Sequence, residues 1–207
     1  MTSTKSDAEG GLREFIAKQR VLPGECDVTL YRFDDEIERV FDKKPIQRVE
    51  DGDLKLEPRG STALLDAMCR AIDEVGKRLR DTHGDERPEK VFVVTITDGH
   101  ENASKYRYTD VADRIKRQRE VYGWEFLFIG SNQDAIATAG KLSILPQYSL
   151  SYAPNRVGTV NAYAAMANSV SYTRNTGKSY AFTVEDRESA MDLSNTAKIS
   201  STTGATK

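Results

Sequence analysis

The chain has 207 residues, of which 38% are hydrophobic and 30% charged, and its formal net charge is -2. A single domain of this length buries a core of its own, and the mixed composition excludes a wholly disordered chain. The near-zero charge leaves no basic footprint for nucleic acid, and no apolar run approaches the roughly 18–20 residues of a membrane span. The start, Met-Thr-Ser-Thr-Lys-Ser-Asp, lacks the apolar stretch of a secretory signal, so the expected location is cytoplasmic. Cys26 and Cys69 are the only cysteines and are expected as buried free thiols in a reducing compartment. With two histidines, a His-rich zinc site is excluded.

In chain order, residues 5–20 predict a helix: Leu12, Phe15, Ile16 and Gln19 recur at helical spacing, and Asp7 and Glu9 suit its N-terminus. Leu22-Pro23-Gly24 ends it. Asp27 to Phe33 is a strand, rich in β-branched and aromatic residues, and Glu36 to Phe41 a second, leading into a polar loop up to Gly60. The clearest helix runs from Thr62 to Arg80, with Leu65, Met68, Ile72, Val75 and Leu79 on one face. A polar loop follows over 81–89. The run Val91-Phe-Val-Val-Thr-Ile-Thr97 predicts a strand buried on both faces. Thr109 caps a helix to Tyr122 whose Val111, Ile115 and Tyr122 face inward, and Gly123 stops it. Phe126 to Ile129 is a buried strand closed by Gly130 and preceded by Trp124 as a core anchor. Residues 135–142 form a short helix, 148–152 a weak strand, and 157–173 a small-residue helix carrying Val160, Tyr163, Ala167 and Val170. The domain is expected over 1–180, and 181–207 as a polar, partly disordered tail.

Strands alternating with amphipathic helices predict an α/β fold with helices on both faces of the sheet, and ligands at the C-terminal ends of its strands. Two loops fall there: Arg59-Gly-Ser-Thr-Ala63 and Thr97-Asp-Gly-His-Glu-Asn102. The Asp98 carboxylate with the Ser61 and Thr62 hydroxyls makes a hard-oxygen set suited to Mg²⁺, Mn²⁺ or Ca²⁺. The same residues also read as a helix N-cap and a turn before Gly99, and both readings stay open. Asp66, one turn after Thr62, is a second partner of that loop or an exposed charge. His100 is an exposed loop residue or an acid–base group beside Asp98. The basic run Arg114 to Arg119 reads as a solvated helix face.

Taken together, Gly60-Ser-Thr-Ala-Leu-Leu-Asp66, Thr95-Ile-Thr-Asp-Gly-His-Glu-Asn102 and Phe126-Leu-Phe-Ile-Gly-Ser-Asn-Gln-Asp134 resemble the von Willebrand factor A domain. The similarity is closest to the small intracellular versions of bacteria and their phages, so a phage origin would place the chain in host cytoplasm. It covers roughly residues 1–175. The resemblance implies a Rossmann-like three-layer α/β/α fold with a mostly parallel central sheet. It also implies a metal-ion-dependent adhesion site holding one divalent cation, Mg²⁺ or else Mn²⁺ or Ca²⁺. Thr62 and Asp98 match two of that site's ligands, with Ser61, Asp66 and His100 as surrounding residues. The cation's open position is usually filled by a carboxylate of a protein partner. Such domains bind proteins and are seldom enzymes, so no catalytic residue is expected.

The family's first strand, with its Asp-x-Ser-x-Ser ligands, has no counterpart here: the match begins at Met1, the residue after that motif. In the family this strand lies mid-sheet, between the strands placed at 27–33 and 91–97. Three accounts follow: an upstream start, a partner segment filling the gap by strand addition, or a degenerate remnant. The first is the expected one. With Asp98 the only carboxylate at the site, Mg²⁺ binding is expected to be weak or absent. The leading function is therefore a protein-binding module with an incomplete adhesion site. The alternatives are a metal-independent assembly protein and a metal-dependent hydrolase using Asp98, His100 and Glu101. No nucleic-acid or membrane partner is expected.

Overall fold

A computed structural model describes residues 5–57, 60–131 and 134–192. The chain is a mixed α/β protein built on a three-stranded parallel sheet and a separate antiparallel pair. Helix α1 (Lys5–Arg20) leads into strands β1 (Asp27–Phe33) and β2 (Ile37–Pro45). Helix α2 (Leu64–Asp81), strand β3 (Phe92–Thr97), helix α3 (Tyr108–Tyr122) and strand β4 (Glu125–Ser131) follow. Helix α4 (Ala135–Lys141), strand β5 (Ser149–Tyr152), helix α5 (Arg156–Thr176) and helix α6 (Val184–Ala190) complete it. The parallel sheet runs β3-β4-β5, and among the described residues β1 pairs only with β2.

Period-two alternation in β4 sends Phe126 and Phe128 to one side and Leu127 and Ile129 to the other. The first side packs on Leu64, Leu65, Met68 and Ile72 of α2 and Val111 and Ile115 of α3. The second packs on α1 and on Tyr163, Met166 and Val170 of α5. Gly11 permits the α1–α5 contact: a Cβ there would lie 2.5 Å from the Tyr163 ring. Buried Gln19 ties the helices further, its Nε2 donating to the Ala167 carbonyl at 3.0 Å and to Ser171 Oγ at 2.8 Å. Gly123 ends α3 in the left-handed region at φ 67°, where a side chain would be strained. Trp124 is buried and stacks on Phe126 at 6.3 Å, as its place after the helix stop suggests.

Several expectations need correction. Strand β2 runs on to Pro45, and the polar loop expected after it is partly core: Ile46, Val49 and Leu54 are buried against Ile16 of α1. Ile46 and Leu54 lie on two single-turn 3₁₀ segments and Val49 between them, and so short a length leaves no period to read. Tyr122 is 56% exposed rather than inward. Helix α3 begins at Tyr108, after Arg107, whose N–H donates to the Asp110 carboxylate at 2.8 Å; Thr109 is exposed within its first turn. Residues 181–192, assigned to the tail, carry α6, and buried Phe182 and Ala190 join the core. The remainder of that tail, 193–207, lies outside the described residues. Cys69 is buried as expected, whereas Cys26 is only half-buried; both are free thiols.

The largest difference concerns 91–97. The apolar run forms β3, but at the edge of its sheet, with Phe92, Val93, Val94 and Ile96 only half-buried. Asp34, which follows β1, accepts from Ala63, and Gly99 and Asn102, which follow β3, meet Thr62, so both strands end at the segment 60–63. No ladder joins them. No helix among the described residues is long and apolar enough to cross a membrane.

Candidate functional site

The C-terminal ends of β1 and β3 meet at the start of α2. The Ala63 N–H donates to the Asp34 carbonyl at 2.6 Å. The Thr62 N–H donates to Asn102 Oδ1 at 2.9 Å, and the Asn102 N–H returns to the Thr62 carbonyl at 3.1 Å. Thr62 lies directly on Gly99: a Cβ at 99 would come within 2.5 Å of Thr62 Oγ1. Glycine at 99 is therefore what lets the loop carrying Asp98 close onto the loop carrying Thr62. The two family-matched residues are brought to one place, Thr62 touching the neighbour of Asp98, and both are half-buried.

The N-cap reading of Ser61 and Thr62 fails. Helix α2 starts after Ala63 without a side-chain cap of its own. Its free amides are served from the facing loop instead. Leu65 N–H donates to Glu101 Oε2 at 3.0 Å and to Ser104 Oγ at 3.0 Å, and Asp66 N–H to Ser104 Oγ at 3.1 Å. Glu101 also accepts from the backbone of Ala103 and Ser104 and from the Ser104 hydroxyl. In return Asp66 accepts the amides of Lys105 and Tyr106, both at 2.9 Å to Oδ1. Asp66 is thus neither a bare exposed charge nor aimed at Thr62: it anchors the 104–106 turn. His100 is exposed at the rim. Ser61 is half-buried beside it in the chain segment leading to Thr62. Arg59 of the first motif and Asn132 and Gln133 of the third lie outside the described residues.

Under this edge sits a polar layer that the sequence did not mark. Tyr152 and Tyr163 are buried, and burial followed by the negative charge of Asp98 pushes the Tyr152 hydroxyl up to about 12. Burial likewise raises Tyr163, helped by Tyr152 and Asp98. Ser131, at the end of β4, is 1% exposed, and its hydroxyl faces that of Tyr152, which it lowers in part against the effect of burial. Asn102 stood in the second motif without a role. Ser104, just beyond that motif, had no signal, because a short polar residue in a loop takes its meaning only from what faces it.

A divalent cation of the kind the resemblance implies needs about six oxygens, carboxylates among them. Thr62 and Asp98 offer two. The Asp66 and Glu101 carboxylates are directed at backbone amides. Among the described residues no group of three or more His, Cys, Asp or Glu side chains is placed to hold an ion. The donor set present does not by itself fit a resident Mg²⁺. The chain matches no family model and no curated protein, so the likeness to the von Willebrand factor A domain rests on the quoted motifs alone.

Proposed function

We propose that the chain is a protein-binding module of von Willebrand factor A type, cytoplasmic, with a Rossmann-like three-layer arrangement. Its contact surface is the edge formed by Thr62, Asp98 and His100. The observation that supports this is the cross-stitched pair of loops. Reciprocal hydrogen bonds from Thr62, Asn102, Glu101, Ser104 and Asp66 hold the edge in one conformation before any partner arrives, and preorganisation lowers the cost of binding. The hard oxygens of Thr62 and Asp98 can share a divalent cation with an acidic side chain of the partner, water filling the remaining positions. The commitment of Asp66 and Glu101 to backbone amides favours a second form of the reading, in which assembly needs no metal. The hydrolase reading loses support for the same reason, since Glu101 is spent on structure and His100 stands in solvent.

The test places a photo-crosslinking amino acid at 100 and compares it with one at exposed Glu89. One partner protein is expected from position 100 and not from 89, and it should be lost in Asp98→Ala with the fold intact. Loss in EDTA as well means a shared cation; persistence in EDTA means metal-independent contact. Persistence in both Asp98→Ala and EDTA refutes the edge. Turnover of phosphate esters with Mg²⁺ or Mn²⁺ would replace the binding reading with the hydrolytic one.

A further inference from the structure

Helix α5 departs from the rest of a chain that is 30% charged. Between Val157 and Asn175 its one charged side chain is Arg174, whose guanidinium is tied to the Gln19 and Pro23 carbonyls. The sheet side of α5 is filled by Tyr163, Met166 and Val170, and α1 and α6 flank it. What remains outward is an uncharged ridge of Val157, Val160, Ala164, Asn168 and Tyr172. Val157 is 46%, Val160 41% and Tyr172 43% exposed. Steps of three and four residues keep these side chains on one face of the helix. At 1.5 Å per residue the ridge from Val157 to Tyr172 is about 22 Å long.

Beside the ridge a groove of about 370 Å³ lies between α5 and α6. Its polar groups present acceptors. Asn161 Nδ2 donates to the Ser189 carbonyl at 2.8 Å, and Oδ1 is left unbonded among the described residues. The Tyr180 hydroxyl donates to Asp186 Oδ2 at 2.9 Å, and burial together with that carboxylate raises the phenol, so its proton stays on this bond. The Thr183 N–H takes the same oxygen at 2.9 Å, which leaves Asp186 Oδ1 open. Glu185 lines the groove, and neither it nor Glu188 makes a hydrogen bond or ion pair among the described residues. Arg187, the one base of α6, is spent on the Ser149 and Pro146 carbonyls. Arg156, at the start of the ridge, is paired with Asp7 at 3.8 Å.

An occupant must lay apolar groups on the ridge and bring cationic donors to the groove. Phosphate-bearing surfaces, of lipid or nucleic acid, would meet Glu185, Asp186 and Glu188 and be repelled. A second copy seated by the same face brings the same acids. We propose that the α5–α6 face docks a basic amphipathic helix of a partner protein, about 15 residues long, with apolar side chains on Val157, Val160 and Tyr172 and an arginine or lysine in the groove. This surface shares no residue with the Thr62–Asp98 edge, and its occupation does not require that edge to bind anything.

Amide chemical shifts of the full chain, titrated with a synthetic helix, are the test. The probe is an acetylated peptide of two repeats of Leu-Arg-Ala-Leu-Arg-Arg-Ala closed by a leucine. The control carries glutamate in place of every arginine. The arginine peptide should move the amides of Val160, Ala164, Asn168 and Glu185 and saturate with a Kd below about 100 µM, and the glutamate peptide should leave them in place. Glu185→Lys with Glu188→Lys should weaken the arginine peptide at least about tenfold and let the glutamate peptide bind. Val157→Ser with Val160→Ser, which alters no charge, should weaken the arginine peptide at least about threefold. Absence of saturation at a peptide concentration on the order of 1 mM overturns the proposal. So does equal affinity for the double-lysine variant, which marks diffuse attraction to an acidic chain. Shifts centred on Thr62 and Asn102 assign the peptide to the other edge and likewise overturn it. Shifts at Val160 and Ala164 that appear without peptide and track dimer formation by sedimentation give the face to a second copy, with the same result.

Discussion

Glu101 offers the sharpest distinction between a structural and a chemical role at the edge. Its carboxylate accepts four hydrogen bonds: Leu65 N–H at 3.0 Å, Ala103 N–H at 3.0 Å, Ser104 N–H at 2.8 Å and the Ser104 hydroxyl at 2.7 Å. The first is a helix cap supplied from another element, and losing a cap costs about 0.5–2 kcal/mol. Hydrogen bonds to a charged acceptor are worth roughly 1.5–3 kcal/mol. Ala103 is exposed, so its amide recovers a water partner. The Leu65 amide keeps Ser104 Oγ as an acceptor. These two compensations hold the expected loss for Glu101→Ala to about 2–3 kcal/mol. For a chain of this size that lowers Tm by roughly 4–12 °C. Glu101→Gln keeps one oxygen acceptor and should lose about half as much.

Urea unfolding followed by far-ultraviolet circular dichroism reads both variants, with the slope of the transition reporting whether the unfolded state has changed. A loss below about 0.5 kcal/mol for Glu101→Ala would refute the capping argument, because it is the size expected of an ordinary surface change. A Gln variant less stable than the Ala variant would refute it differently, by showing that the site rejects a side chain of this shape. If Glu101 served chemistry instead, its loss would leave stability unchanged and remove an activity.

Two further outcomes follow from packing and burial. A Cβ on Gly158 would lie 2.4 Å from the Ala153 carbonyl oxygen and 2.7 Å from that of Ala190, both backbone atoms with little room to yield. Gly158→Ala should therefore destabilise by about 1–3 kcal/mol in spite of the better helix propensity of alanine, and a stabilised variant would show that α6 does not pack there. Burial, with the Glu74 hydrogen bond, pushes the Tyr31 hydroxyl up to about 12; burial and Asp98 do the same for Tyr152. In the unfolded chain both ionise near 10, so unfolding releases protons between these values. Stability is then full below pH ~10 and falls as pH rises from ~10 toward ~12. Titration of the tyrosine absorbance should show a group of phenols ionising near 10 and a buried set that ionises only with unfolding; a single transition near 10 would contradict the buried placement.

Most of the element order was legible because periodicity reports it. The repeats of Leu65, Met68 and Ile72 and of Val111 and Ile115 place one face of α2 and α3 in a shared cluster, and that is where they lie. Ile46, Val49 and Leu54 were not legible, since single turns of 3₁₀ helix give no repeat to count. The site was legible in part. Asp98 and Thr62 could be placed at strand and helix ends, but not the exchange of caps between loops. Capping residues are ordinarily sought next to the helix they cap, and here Glu101 and Ser104 come from 36 and 39 positions away.

Composition and position disagree at β3. Val-Phe-Val-Val-Thr-Ile is the composition of a strand covered on every side, yet among the described residues β3 pairs along one edge alone. Natural edge strands are blunted with charge, proline or a bulge, and none of these interrupts Phe92–Thr97. The edge is therefore built as an interior strand is built. The loop at 60–63 lies at one end of it, bonded to Asp34 beyond β1 and to Asn102 beyond β3. That end is held without an added strand, because the Thr62 and Asn102 amides each bond the other residue.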